Sequence, residues 1–138
     1  MFTLHPQLAA DTAAVADLSL SRLLLLRQHR HWPWLVLVPR RAEMREIIDL
    51  NAVDRDRLMQ EIVGASALLQ RLFKPDKLNV GALGNLVPQL HIHVIARFVG
   101  DPAWPGPVWG ATPPLAYDEA DLAALLQRLR DDLAAHPF

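Results

Sequence analysis

From Gln89 to Arg97 the chain alternates between two kinds of side chain. Leu90, Ile92 and Val94 share one parity, and Gln89, His91, His93 and Ile95 share the other. Successive side chains of a β-strand point to opposite faces. The pattern predicts a strand that sends an apolar row into a core and holds Gln89, His91 and His93 in a polar row behind it. Upstream, the unbroken apolar run Trp34–Val38, closed by Pro39, reads as a buried strand. Leu18–Arg27 reads as another, although so Leu-rich a run fits a helix too. The short polar connection Gln28–Pro33 between them predicts an antiparallel hairpin. Thr12–Ala16 and Lys77–Leu83 complete a sheet of about five strands.

Two segments carry helical spacing instead. In Asn51–Phe73, Leu58, Ile62, Ala65, Leu68, Leu69 and Leu72 recur at three and four, which makes one apolar stripe. Asp54 is the candidate N-cap. Arg55, Arg57, Glu61, Gln70 and Arg71 fall on the wet face. Gly64 in mid-helix costs about 1 kcal/mol against Ala unless it permits close packing. Asp118–Ala135 repeats the pattern with Leu122, Leu125, Leu126, Leu129 and Leu133. Leu4–Asp11 reads as a short helix with Pro6 in its first turn. Glu43–Asp49 reads as a helical turn that sends Ile47, Ile48 and Leu50 inward. Gly100–Gly110 is rich in Pro and Gly and predicts no regular element. The fold class is therefore α+β: a mainly antiparallel sheet with one long helix packed on it and a C-terminal helix.

Composition narrows the setting. A length of 138 residues fits a single domain, 1–138, with its core at about 18–110. An apolar fraction of 51% with 21% charged residues excludes disorder. A net charge of −1 gives no electrostatic footprint for nucleic acid. With no cysteine there is no disulfide framework, thiolate nucleophile or cysteine zinc site. The apolar runs are too short to span a bilayer, and Met1–Leu8 lacks the regions of a signal peptide. A cytoplasmic protein is expected. His5, His29 and His31 read as surface or loop residues, and Arg40 and Arg41 as solvated charge at a strand end.

The histidine row changes the picture, because Val, Ile or Thr fits a pleated strand better. Side chains at i and i+2 on one strand face lie about 6–7 Å apart at Cα, so both imidazoles can reach one phosphate. The motif Gln89-Leu90-His91-Ile92-His93-Val94-Ile95 resembles the signature of the histidine triad (HIT) superfamily, His-φ-His-φ-His-φ-φ with φ apolar, with Gln in the first position. Gly84-Asn85-Leu86-Val87 before it and Arg97 after it are similar to the family's flanking residues. The resemblance implies a hydrolase or transferase of nucleotides or related phosphate esters, working as a homodimer without a cofactor. His91 matches the nucleophile, which forms a phosphoramidate with the phosphorus. His93 matches the group that orients the phosphate and shares a proton with the leaving group. Gln89 brings an amide that never titrates; it can orient His91 or bridge to the backbone. Asn79, Gly84, Asn85 and Arg97 are the candidate substrate-binding residues. No metal is expected, since no third ligand accompanies His91 and His93. Three departures from the family pattern, namely Gln89, a shortened loop before Val87 and no ribose-binding carboxylate near Arg27, keep a second reading open. In it the chain is a weakly active or inactive nucleotide-binding or interaction protein on the same scaffold.

Overall fold

The computed structural model describes residues 1–138. A short helix α1 (Pro6–Asp11) leads into β1 (Thr12–Asp17), β2 (Ser21–Leu26) and β3 (Trp34–Pro39). A 3₁₀ turn (Ile47–Asp49) precedes the long helix α2 (Ala52–Phe73). Then come β4 (Lys77–Gly81), β5 (Ile92–Arg97) and the C-terminal helix α3 (Glu119–Ala135). The five strands form one sheet in the order β1-β2-β3-β5-β4, and every pairing is antiparallel. This is the α+β architecture that the pattern predicts, with β5 enclosed between β3 and β4.

Each face of the sheet has its own core. On one face Leu23, Leu25, Leu35, Leu37, Leu90, Ile92, Val94 and Ala96 pack with Leu58, Ala65, Leu68 and Leu69 of α2 and Leu122 and Leu129 of α3. On the other, Leu24, Val36, Val38 and Ile95 pack with Leu8, Trp32, Trp34 and Val108. The second face is thus largely covered, and His91 and His93 lie within it. A fully buried aliphatic side chain contributes about 1.5–3 kcal/mol. A one-residue slip of β5 would exchange its two faces, so its register is strongly specified.

The stripe of α2 faces the core as expected, but two of its polar residues play other parts. Asn51, not Asp54, caps the helix: its side chain accepts from the Asp54 N–H at 2.8 Å. The Asp54 carboxylate turns back to Arg41 in a two-pronged pair at 2.8 and 3.0 Å. Glu61 is not on the wet face. It is fully buried, and its carboxylate accepts the N–H groups of Leu20 and Ser21 at 2.9 and 3.0 Å. It thereby ties the β1–β2 turn to α2, and that turn is why β2 begins at Ser21 rather than Leu18. Gly64 serves close packing: a Cβ there would lie 2.2 Å from the ring of Phe138, which rests on the helix.

The segment before α2 differs from expectation. Leu50 is buried, but Ile47 and Ile48 are 43% and 81% exposed. One 3₁₀ turn, closed by the Asp49 carboxylate on the N–H groups of Arg45 and Glu46, is too short to present three consecutive apolar residues to one core.

Replacing Glu61 by Ala leaves two buried N–H groups without acceptors. A loss of about 2–4 kcal/mol is expected, measurable by urea denaturation. A loss below about 1 kcal/mol would show that the β1–β2 turn does not depend on Glu61.

Candidate functional site

The site grows from the pairing of β5 with β3. Val36 lies opposite His93, and Trp34 lies opposite Ile95. On the pleat this sets Trp34 diagonally across from His93, within reach of a long side chain. The Trp34 indole N–H donates to His93 Nδ1 at 2.8 Å. Trp109, from the segment after β5, meets both His93 and Trp34 edge-on, at centroid distances of 5.6 and 6.2 Å. Gly81 admits that indole, since a Cβ there would lie 3.2 Å from it. The His91 and His93 rings stand 5.0 Å apart. They are only 7% and 9% exposed, so the pair sits in a nearly dry aromatic frame.

Hydrogen bonds assign the ring protons. His91 Nδ1 lies 2.7 Å from the carbonyl oxygen of Gln89. A carbonyl only accepts, so Nδ1 carries the proton and Nε2 keeps its lone pair. His93 is the reverse. An indole N–H only donates, so His93 Nδ1 is the acceptor and Nε2 carries the proton. Burial, and then the neighbouring His91, push the His93 pKa down to about 4. At neutral pH His93 is an uncharged donor.

Beside His91 opens a cavity of about 370 Å³, lined by Leu83, Gly84, Asn85, Leu86, Val87 and Trp109. Gly84 and Asn85 therefore stand with His91, as the sequence places them. Gln89 does not. Its amide looks away from the imidazoles and clamps the N-terminal segment, accepting from His5 N–H at 2.8 Å and donating to the Thr3 carbonyl at 2.9 Å. Of its two expected roles, the side chain performs the bridge to backbone, and only its carbonyl orients His91. That clamp borders a larger concavity of about 670 Å³ between residues 3–6, 43–45 and 88–89, which His91 does not line.

Asn79 and Arg97 are corrected more sharply. Arg97 is only 2% exposed. Its guanidinium pairs with Asp101 at 2.9 Å, and bonds Asn79 Oδ1 and the Gly106 carbonyl, each at 2.8 Å. Every nitrogen of the guanidinium is engaged within the protein, so Asn79 and Arg97 hold the 98–110 segment in place and are not open to a substrate. Burial alone would raise the Asp101 pKa, but the Arg97 guanidinium and the N–H groups of Phe98 and Ala103 outweigh it and hold the carboxyl well below its usual range. His29 is no free loop residue either. It stacks on Trp34 at 5.4 Å, and burial, with His31 nearby, lowers its pKa.

Sequence reasoning missed Trp34 as a site residue. A tryptophan opening an apolar strand reads as core, and only the β3–β5 register reveals its partner. Trp109, in a stretch that the sequence reads only as irregular, lines the cleft.

A model of the HIT domain matches residues 9–100, two thirds of the chain. The chain belongs to the histidine triad family. Three solved histidine triad proteins resemble it over nearly their whole length. The one from Marinobacter aquaeolei VT8 is 47% identical, covers 98% of each chain and superposes with a TM-score of 0.94. The one from Bradyrhizobium japonicum is 49% identical over 94% of this chain and 96% of its own, with a TM-score of 0.90. The one from Sinorhizobium meliloti 1021 is 41% identical over 96% and 98%, with a TM-score of 0.92. No curated protein matches the chain. No helix is long and apolar enough to cross a membrane.

Asp101→Ala leaves Arg97 charged and unpaired in the interior, so a loss of about 3–5 kcal/mol is expected. Because the folded-state pKa of Asp101 is depressed, its contribution is present above the ordinary carboxylate range and fades as pH falls toward the folded value. Chemical denaturation of wild type and variant across pH 7 to about 2 should show the gap closing only in acid. A gap independent of pH would contradict the ion pair's role.

Proposed function

We propose that this histidine triad protein is a hydrolase or transferase of nucleotides or related phosphate esters, with His91 as the nucleophile. The observation that carries this is the bond from His91 Nδ1–H to the Gln89 carbonyl. It leaves the Nε2 lone pair as the ring's reactive nitrogen, in a residue that lines the cavity. Nε2 attacks the phosphorus, an N–P bond forms, and the bond to the leaving group breaks with its electron pair. Water then attacks the phosphorus, and the N–P pair returns to Nε2. In the transferase case another acceptor takes the place of water. Nδ1–H stays on the carbonyl throughout and supports the positive charge of the substituted imidazole.

Three other groups suit a phosphate. His93 Nε2–H is a neutral donor beside His91. Asn85 lines the cavity and carries a neutral amide. Trp109 has a buried indole N–H with no acceptor in the protein, which a phosphate oxygen would satisfy. None of them titrates near neutrality, so binding rests on fixed dipoles in a dry site.

The reading includes a cytoplasmic homodimer. β4 is an edge strand, and an unpaired edge is a template for another chain. Val80 on that strand and Leu83 and Leu86 in the following loop are exposed apolar residues, as are Ile47 and Ile48, which share a concavity with Ala82 just after β4. Sedimentation equilibrium should give twice the monomer mass, and Val80→Glu should lower it. A monomeric wild type at micromolar concentration would remove the dimer from the proposal.

One observation favours the binding-protein alternative: the Gln89 side chain hydrogen-bonds backbone groups and no imidazole, and the first triad position supplies no titrating group. The decisive experiment measures nucleoside monophosphate release from diadenosine polyphosphates, an adenosine phosphoramidate and their guanosine counterparts. Wild-type release that falls at least about 10³-fold in folded His91→Ala is expected. Ligand binding without turnover in wild type, retained in His91→Ala, would establish the binder instead.

A further inference from the structure

The proposed reaction leaves open how the departing group obtains its proton, and the framework around His93 bears on that. His93 is the residue next to the nucleophile, and in principle an imidazolium there can protonate a leaving atom. Its ring, however, is held from both β3 and the segment after β5. Trp34 occupies Nδ1 with a donor at 2.8 Å. A second proton on Nδ1 would face the indole N–H, donor against donor. The groups around the ring are Trp34 from β3, His91 from β5 and Trp109 from the 98–118 segment. One ring further out, His29 stacks on Trp34. None of these is a carboxylate, so nothing facing His93 compensates a positive charge. Trp34 is itself only 3% exposed, and its indole is confined between His29 and Trp109. It has little room to rotate away.

A neutral Nε2–H can stabilise negative charge by hydrogen bonding, but giving up that proton would create an imidazolate. It therefore cannot act as an acid toward a basic leaving atom. A phosphate or carboxylate leaves as a stable anion and needs only the hydrogen bond. An amine leaves as a neutral molecule only after its nitrogen gains a proton. The same site thus treats two kinds of phosphorus substrate differently.

We propose that Trp34 is a positioning residue that locks His93 as a neutral Nε2–H donor, and that it thereby selects phosphoanhydrides and mixed anhydrides over phosphoramidates of basic amines. The proposal rests on the hydrolase reading for its substrate preference and on the Trp34–His93 hydrogen bond for the tautomer. In the favoured reaction His91 Nε2 bonds to the phosphorus, the P–O bond to the leaving phosphate or carboxylate breaks, and that oxygen keeps the electron pair. Water completes the turnover. Its hydroxyl goes to phosphorus, and its proton goes to solvent.

The first test is long-range ¹H–¹⁵N NMR of the wild type, with His93 assigned through His93→Gln. The expected spectrum shows Nε2 protonated and Nδ1 bare at neutral pH, with no titration until the solution approaches pH of about 4. A proton on Nδ1, or a titration in the usual histidine range, would overturn the role of Trp34. In Trp34→Phe the His93 titration should move up. That variant removes the N–H and keeps an aromatic ring, so the His93 proton should also no longer be confined to Nε2, whereas a merely structural role would leave the tautomer unchanged. The second test compares hydrolysis of diadenosine tetraphosphate with that of the adenosine 5′-phosphoramidate of butylamine. Wild type should favour the anhydride, and Trp34→Phe should reduce that preference about tenfold or more. An unchanged ratio in folded Trp34→Phe would overturn the selectivity. If wild type consumes neither substrate, the hydrolase reading fails, while the spectrum still upholds or overturns the lock on His93. If Trp34→Phe does not fold, the wild-type spectrum and the wild-type preference between the two substrates decide.

Discussion

The burial of β5 on both faces is the constraint from which the rest follows. A strand covered on one side can carry polar residues on the other at little cost. Here the second side is covered as well, by Trp32, Trp34, Val108 and the α1 residue Leu8. Histidines placed there must find partners or forfeit the hydrogen bonds that water would have given them. His91 finds the Gln89 carbonyl and His93 finds the Trp34 indole. Each partner can act in only one sense, one as acceptor and one as donor. The two imidazoles thus hold opposite tautomers, one with a free lone pair and one with a free N–H. Dryness and the choice of partners do together what a row of titrating side chains would otherwise do.

The same constraint explains why the flanking segments are tied so firmly. Trp109 closes the site only if the segment after β5 holds its path, and that path is set by the buried Arg97, Asp101 and Asn79 network with the Gly106 carbonyl. At the other end of β5, Gln89 anchors the N-terminal segment through two backbone groups. Anchors of this kind are buried and polar, so each is worth more as a constraint on geometry than as a net gain in stability.

Much of the frame was legible because it rests on periodicity. The parity of Leu90, Ile92 and Val94 located one core, the stripe from Leu58 to Leu72 located the helix that covers it, and the hairpin followed from two apolar runs and a short connection. Residues whose partners lie far along the chain were not legible. Glu61 reads as solvent-facing by helical spacing, yet its partners are backbone groups 40 and 41 residues away. Arg97 sits where a substrate contact was expected, and only the Asp101 turn shows that its charge is already met. Gln89 departs from the family pattern visibly, but its partners are 84 and 86 residues distant. The motif pointed to the His91 and His93 pair; it did not point to Trp34, because no local signal distinguishes an indole packed in a core from one whose N–H meets a histidine across a strand.

A site built in this way trades versatility for definition. A solvated histidine changes charge near neutrality and can give or take a proton as the reaction demands. His93 has been moved out of that range by desolvation and by its neighbour His91, so its contribution is a fixed dipole that needs no reorganisation as charge develops on phosphorus. The Gln89 amide at the first triad position runs in the same direction, since it cannot titrate either. Two of the three positions of the motif are therefore neutral at neutral pH. In the proposed reaction, charge that develops would be borne by the substrate's own oxygens, by the Gln89 carbonyl and by the donors of His93, Asn85 and Trp109. On the proposed function, such a site suits leaving groups that carry their charge away unaided, a bias that the same fold with a solvated third histidine would not share.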